Sequence, residues 1–208
     1  MQTATARIGV SAARSSLGRW RVVDIIVASV IGVAAGLIFW GWGLAYNPIG
    51  TPLEAALPGL QGLVNGGWLF AGVLGALVIR KPGAALYTEL VAAIVSALIG
   101  TQWGPWTLVS GLTQGIGAEI VFALFLYSSY RLGVALLAGV GAAVALSITD
   151  LIVSYPGSDT PFIIIYTVTS IISGVVIAGL LSWLAMRGIA RTGALSRFAS
   201  GRESAVRV

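Results

Sequence analysis

Twelve Lys and Arg residues break up the apolar sequence of this chain, and they do so only at alternate gaps. Arg7, Arg14, Arg19 and Arg21 precede the first apolar run, and Arg80 and Lys81 separate the second from the third. Arg131 separates the fourth from the fifth, and Arg187, Arg191, Arg197, Arg202 and Arg207 follow the sixth. The runs cover about 22–44, 60–79, 84–100, 106–127, 132–151 and 162–186. A helix needs roughly 20 residues to cross a ~30 Å hydrocarbon core, so each run can span, the third being the shortest. Six alternating helices put every cation on one side, and the positive-inside rule makes that side cytoplasmic. The expected fold is an all-α integral membrane protein with six transmembrane helices and both termini in the cytoplasm of a bacterial cell membrane. It divides into a basic cytoplasmic segment (1–20), a membrane domain (21–187) and a basic, disordered cytoplasmic tail (188–208). The first run is too long for a signal-peptide core and lacks a clear cleavage site, so it is expected to remain as a helix.

Composition narrows the chemistry. Only 9% of residues are charged and 57% are hydrophobic, against about 25% charged in soluble domains. The chain has no His and no Cys. That removes Cys/His zinc sites, His-ligated haem, thiol nucleophiles and histidine general bases. No catalytic residue, metal site or cofactor is expected. The net charge of +5 flanks the membrane runs, where it serves topology and anionic lipid headgroups rather than nucleic acid. The basic-side turns at 80–83 and 128–131 leave no room for a nucleotide-binding domain, and no Walker-type glycine loop is present. ATP-driven work would need separate ATPase chains.

The opposite side is aromatic and polar. Trp40, Trp42, Tyr46, Trp103, Trp106, Tyr155 and Tyr166 gather there, as an interfacial belt or as the wall of a pocket open to the outside. Gln102, Trp103 and Trp106 lead into Thr107, Ser110 and Gln114, whose i, i+3, i+7 spacing shares one helix face. Rings above a polar ladder suit a flat heterocycle, and a cationic ring adds cation–π attraction of ~0.5–2 kcal/mol. Plain interhelical hydrogen bonding is the alternative. Asn65 and Trp68 open the second run, where Asn65 either reads a ligand edge or caps a helix. Asp24 reads as a helix-start carboxylate, and Asp150 and Asp159 as flanks of the last outer loop, solvated in the first reading and gating or capturing substrate in the second.

Glu89 and Glu119 stand inside apolar stretches, where an ionisable group is costly and marks a functional site. At 1.5 Å per residue, Glu119 lies ~20 Å below the outer end of the fourth helix and Glu89 ~8–10 Å above the inner end of the third. Both are therefore expected at one level, touching ligand or bonding a neighbouring helix. Glu119 points about 140° away from Gln114, so it does not extend the ladder. Ala28, Gly32 and Gly36 recur every fourth residue and form the longest small-residue strip, a candidate surface for docking another subunit.

Taken in order, Gly66-Gly67-Trp68, Lys81-Pro82-Gly83-Ala84-Ala85-Leu86-Tyr87-Thr88-Glu89, Gln102-Trp103-Gly104 and Gln114-Gly115-Ile116-Gly117-Ala118-Glu119 look familiar. From about Trp20 to Met186 the chain resembles substrate-binding S components of energy-coupling-factor (ECF) vitamin transporters, specifically the YkoE-like thiamin/hydroxymethylpyrimidine family. The resemblance implies a non-enzymatic, six-helix subunit that binds thiamin or its pyrimidine precursor from outside. It also implies docking through small residues of the first helix onto a transmembrane coupling subunit driven by two cytoplasmic ATPases. Tyr87 joins the binding set through its motif. The alternative is a stand-alone proton-coupled transporter of a small cationic heterocycle that uses Glu89 and Glu119.

Overall fold

The computed structural model describes residues 18–205. Most of the basic segment expected over 1–20 lies outside the described residues, as does Arg207. Helix α1 is Val22–Ala56; a 3₁₀ segment, Leu60–Trp68, leads into α2, Phe70–Ile79. Helices α3 (Ala84–Ile99), α4 (Trp106–Leu124) and α5 (Leu132–Val153) follow. Helix α6 (Thr160–Ser173) widens into a π-helical stretch, Gly174–Leu181, and continues as α7, Ser182–Arg191; α8 is Ala199–Ala205. Five segments are long and apolar enough to cross a membrane: Val22–Ala56, Leu60–Ile79, Trp106–Leu124, Leu132–Val153 and Thr160–Arg191. The remaining run, α3, is apolar but only 16 residues long. This is a multi-pass membrane protein.

Helix α1 runs well past the expected end near Leu44, through Pro48 and Pro52, into residues read as a loop. Proline normally ends a helix by removing a donor and crowding the preceding turn. Here tertiary contacts hold the extension. The Tyr46 ring packs on Trp68 and Trp103 at 5.2 and 5.6 Å, Asn47 donates to Gln102 at 3.0 Å, and Gly50 is buried against Gln61 and Tyr46.

The Leu60–Ile79 span is the central strut, with 83% of its apolar window buried against 33% for α1. Its 3₁₀ half lies tight on α6. A Cβ on Gly66 would meet Ser173 Oγ at 2.5 Å, and that hydroxyl accepts from the Gly66 N–H at 2.9 Å and donates to the Leu63 carbonyl at 2.6 Å. The hydroxyl thus satisfies backbone groups that the tighter helix leaves over.

Small residues set the other contacts. Ala28, Gly32 and Gly36 are all buried, and Gly32 and Gly36 face α3 rather than the outside. A Cβ on Gly32 would sit 2.7 Å from Val91, and one on Gly36 would sit 2.6 Å from Val95 Cβ and 2.8 Å from the Ala92 carbonyl. The strip expected to dock another subunit is therefore consumed by close packing inside the chain. The exposed face of α1 is instead lined by larger residues such as Val30, Val33 and Leu37.

The cationic turns meet at one end of the bundle. Asp24 is fully buried, with Arg21 at 2.7 Å and Lys81 at 2.6 Å; Lys81 also donates to the Arg19 carbonyl. Trp20 Nε1 donates to the Pro82 carbonyl at 2.9 Å, and Arg80 lies over the Tyr130 ring at 5.2 Å. Asp24 is thus more than a helix-start carboxylate: it ties α1 to the 80–83 turn. The tail expected to be disordered instead carries α8 and folds onto this end. It buries Leu195 and Phe198, sets Phe198 under Arg21 at 5.7 Å, and bonds Ser200 Oγ to the Val78 carbonyl at 3.0 Å. Apolar Leu and Phe among the arginines supply the burial that charge alone would not.

Candidate substrate site

At the end of the bundle away from the cationic turns, a cavity of about 130 Å³ opens between the 3₁₀ segment, α3, α4, α5 and α6. Its aromatic part comes from three distant places in the chain. Trp103 meets Trp68 at 5.1 Å and Tyr46 at 5.6 Å, with rings steeply inclined, as edge-to-face pairs prefer. Helix α4 contributes Trp106, Thr107, Ser110 and Gln114 down one face, as their spacing predicted.

Glu89 reaches the same cavity from α3 and is essentially inaccessible to bulk solvent. Its Oε2 accepts the Gly72 backbone N–H at 2.6 Å, while Oε1 is buried with no hydrogen-bond partner. Thr107 Oγ1 is buried and unpartnered in the same way. Leaving a buried polar atom unpaired costs about 1–3 kcal/mol, so a hydrogen-bonding group that enters the cavity is favoured at both atoms.

Asn65 also lines the cavity, from the 3₁₀ segment rather than from a helix cap. Its Nδ2 donates to Tyr166 Oη at 2.8 Å and to Ser170 Oγ at 2.9 Å; Tyr166 in turn donates to Asp150 Oδ2 at 2.6 Å. Asp150, read from the sequence as a loop flank that is solvated or else captures substrate, is part of the cavity wall, whereas Asp159 caps α6 by accepting the Phe162 N–H at 3.0 Å. The Tyr155 ring packs on that of Tyr166 at 5.2 Å, tilted by 60°.

Three expected residues lie elsewhere. Glu119 is absent from the cavity wall and caps the start of α3, accepting backbone N–H groups of Gly83 at 2.5 Å, Ala85 at 2.9 Å and Leu86 at 3.3 Å. These are donors that the first turn leaves free, and a carboxylate there also complements the helix dipole. The register explains the displacement. Gly115, not Glu119, is level with Glu89, since its Cβ would lie 3.1 Å from that of Glu89, and Glu119 is one turn deeper. Tyr87 points to the cationic end, bonding Ser29 at 2.7 Å and packing on Trp20 at 5.6 Å. Gln102 pins its loop to α1 through Asn47 and the Gly43 carbonyl. Conversely Phe39 and Thr149 line the cavity without having been singled out from sequence, and Tyr46, Tyr155, Tyr166 and Asp150 line it though they were not placed among the binding residues. The aromatics and Asp150 do gather at one end of the bundle, but no local spacing joins them.

Residues 23–145, more than half of the chain, match the family described as ABC-type cobalt transport system, permease component. The chain is 38% identical over 186 residues to YkoE of Bacillus subtilis (strain 168), named as an HMP/thiamine permease protein; the match covers 88% of this chain and 92% of that one. A crystal structure of an S component of an ECF transporter superposes with a TM-score of 0.83 at 36% identity, covering 91% of this chain and 95% of that one. The chain belongs to the YkoE-like family of ECF S components. In this S component the motifs that carried the resemblance divide between two tasks. Trp68, Glu89, Trp103 and Gln114 line the cavity, whereas Lys81, Pro82, Gly83 and Glu119 build the joint at the other end.

Proposed function

We propose that this chain is the membrane-embedded substrate-binding subunit of an ECF-type importer, and that it takes up thiamin or its hydroxymethylpyrimidine precursor in the cavity described above. The observation that carries the reading is the unpaired, buried Oε1 of Glu89 within a cavity walled by Trp68, Trp103 and Trp106. An aminopyrimidine offers an N–H donor to such an oxygen, and a cationic thiazolium suits indole faces. The name of the Bacillus subtilis relative supports the same ligand class. In this reading six helices cross the membrane, both termini are cytoplasmic, and the cavity faces outward. The subunit is not an enzyme: a transmembrane coupling subunit and two cytoplasmic ATPases supply the transport energy.

Calorimetry on purified protein against thiamin, hydroxymethylpyrimidine, riboflavin and biotin tests the ligand class. Sub-micromolar binding of one of the first two is expected, on the order of −8 kcal/mol or better; no binding to any at micromolar concentration overturns it. The chain has no cysteine, so single cysteines in the 80–83 turn and near Gly157 report sidedness directly. Labelling of the 80–83 turn from outside would contradict the topology. The stand-alone transporter, which relied on two facing carboxylates, loses its pair because Glu119 is engaged by the start of α3.

A further inference from the structure

Asn65 is the one cavity amide whose hydrogen bonds within the protein are wholly on one side. Both hydrogens of Nδ2 are committed, to Tyr166 Oη and Ser170 Oγ, and no hydrogen bond to its Oδ1 is present among the described residues. The reason lies a step further away. A phenol carries one proton, and that of Tyr166 goes to Asp150 at 2.6 Å, so its oxygen can only accept from Asn65.

We propose that Asp150 is a positioning residue that fixes the orientation of the Asn65 amide through Tyr166, so that the cavity presents the Asn65 carbonyl oxygen to its ligand. With Glu89 Oε1 also an unpaired acceptor, these two groups together select a ligand edge that donates hydrogen bonds, while Thr107, Ser110 and Gln114 on α4 can meet the rest of the ligand. Such an edge belongs to a ring bearing an exocyclic amine. The ring in which a carbonyl replaces that amine meets acceptors with an acceptor and is rejected, because buried groups left unpaired penalise the mismatch. This rests on the ligand reading above and adds the device that sets its selectivity.

The relay makes a specific prediction for Asp150→Leu. The variant removes the acceptor of the Tyr166 proton, which frees that proton for Asn65 Oδ1, and Asn65 then turns its N–H groups to the cavity. Calorimetry with thiamin and its 4-oxo analogue reads this. The wild-type chain should favour the amine form, and Asp150→Leu should cut the amine-to-oxo affinity ratio by at least about tenfold, as should Tyr166→Phe. In the double variant the ratio should fall no further than in Tyr166→Phe alone, since both changes break one chain. An unchanged ratio in Asp150→Leu, or strictly additive losses, overturns the proposal; additivity would mean that Asp150 touches the ligand itself.

A ligand-free measurement separates the relay from the ligand reading. Asn47 and Asn65 are the only asparagines, so ¹⁵N-asparagine labelling yields two side-chain amides. The Asn65 protons should be protected from exchange and lose protection in Tyr166→Phe, with Asn47 fast in both. Unprotected Asn65 protons in the wild-type chain overturn the relay. Protected protons without binding of either ligand sustain the relay and overturn the ligand reading.

Discussion

Gly72 donates its backbone N–H to Glu89 Oε2 at 2.6 Å across 17 residues of sequence. The contact is close: a Cβ on Gly72 would lie 3.1 Å from that oxygen and 3.0 Å from the Ala85 carbonyl, so a side chain there would push against both. One carboxylate oxygen is thereby held in place and the other turned to the cavity without a partner. The helix contact thus orients Glu89 before any ligand arrives.

Glu89→Gln tests that orientation. The amide keeps an acceptor for Gly72 but then presents N–H groups where the ligand needs an acceptor. Thiamin-type binding should weaken at least tenfold, about 1.4 kcal/mol or more, with the unliganded unfolding midpoint little changed. Calorimetry and thermal unfolding on the same preparation would measure both.

Glu119 should behave oppositely. Glu119→Ala strips three backbone N–H groups at the start of α3 of their acceptor, so stability should fall by about 1–3 kcal/mol. Affinity of the remaining folded protein should drop less than in Glu89→Gln. A binding loss as large as that of Glu89→Gln, with no fall in the unfolding midpoint, would put Glu119 back at the ligand.

Gly36→Val separates internal packing from subunit docking. The added Cβ would lie 2.8 Å from the Ala92 carbonyl, and a backbone oxygen cannot move aside cheaply. Overpacking of this kind destabilises by about 1–3 kcal/mol. The isolated chain should melt earlier with no partner present; an unchanged midpoint would mean that the α1–α3 contact is looser than its geometry.

Trp103→Ala removes the ring shared by the Tyr46 and Trp68 contacts. Each such pair contributes about 0.5–1.5 kcal/mol beyond burial, and the ligand loses a wall. Affinity should fall about tenfold, and quenching of tryptophan fluorescence on ligand addition should shrink. Retention of both would place the ligand away from the aromatic cluster.

Much of the site was legible because its pieces are local. Thr107, Ser110 and Gln114 fall on one face of one helix, and periodicity alone brings them to one wall, with Trp103 in the turn just before it. Glu89 announced itself by being charged in an apolar run. Glu119 announced itself equally loudly and was misplaced, since depth counted along separate helices cannot reveal how two helices are offset. That offset is set by Gly111 against Ala93 and Gly115 against Leu86 and Glu89. The small-residue strip on α1 was read correctly as a close-contact surface but not as to which helix it meets, because a run of small side chains does not encode its partner.

The sequence by itself determined the membrane class, the alternation of the cationic turns and the want of His and Cys chemistry, since these follow from composition and from hydropathy along a single chain. Only the tertiary structure decided that Glu89 faces the cavity while Glu119 caps α3. Only it joined Asp150, Tyr166 and Asn65 in one hydrogen-bonded line. The physical reason is that partition into a membrane is a property of each segment. Hydrogen-bond pairing inside it is a property of the register between segments, which close contacts at glycine fix to within one helical turn.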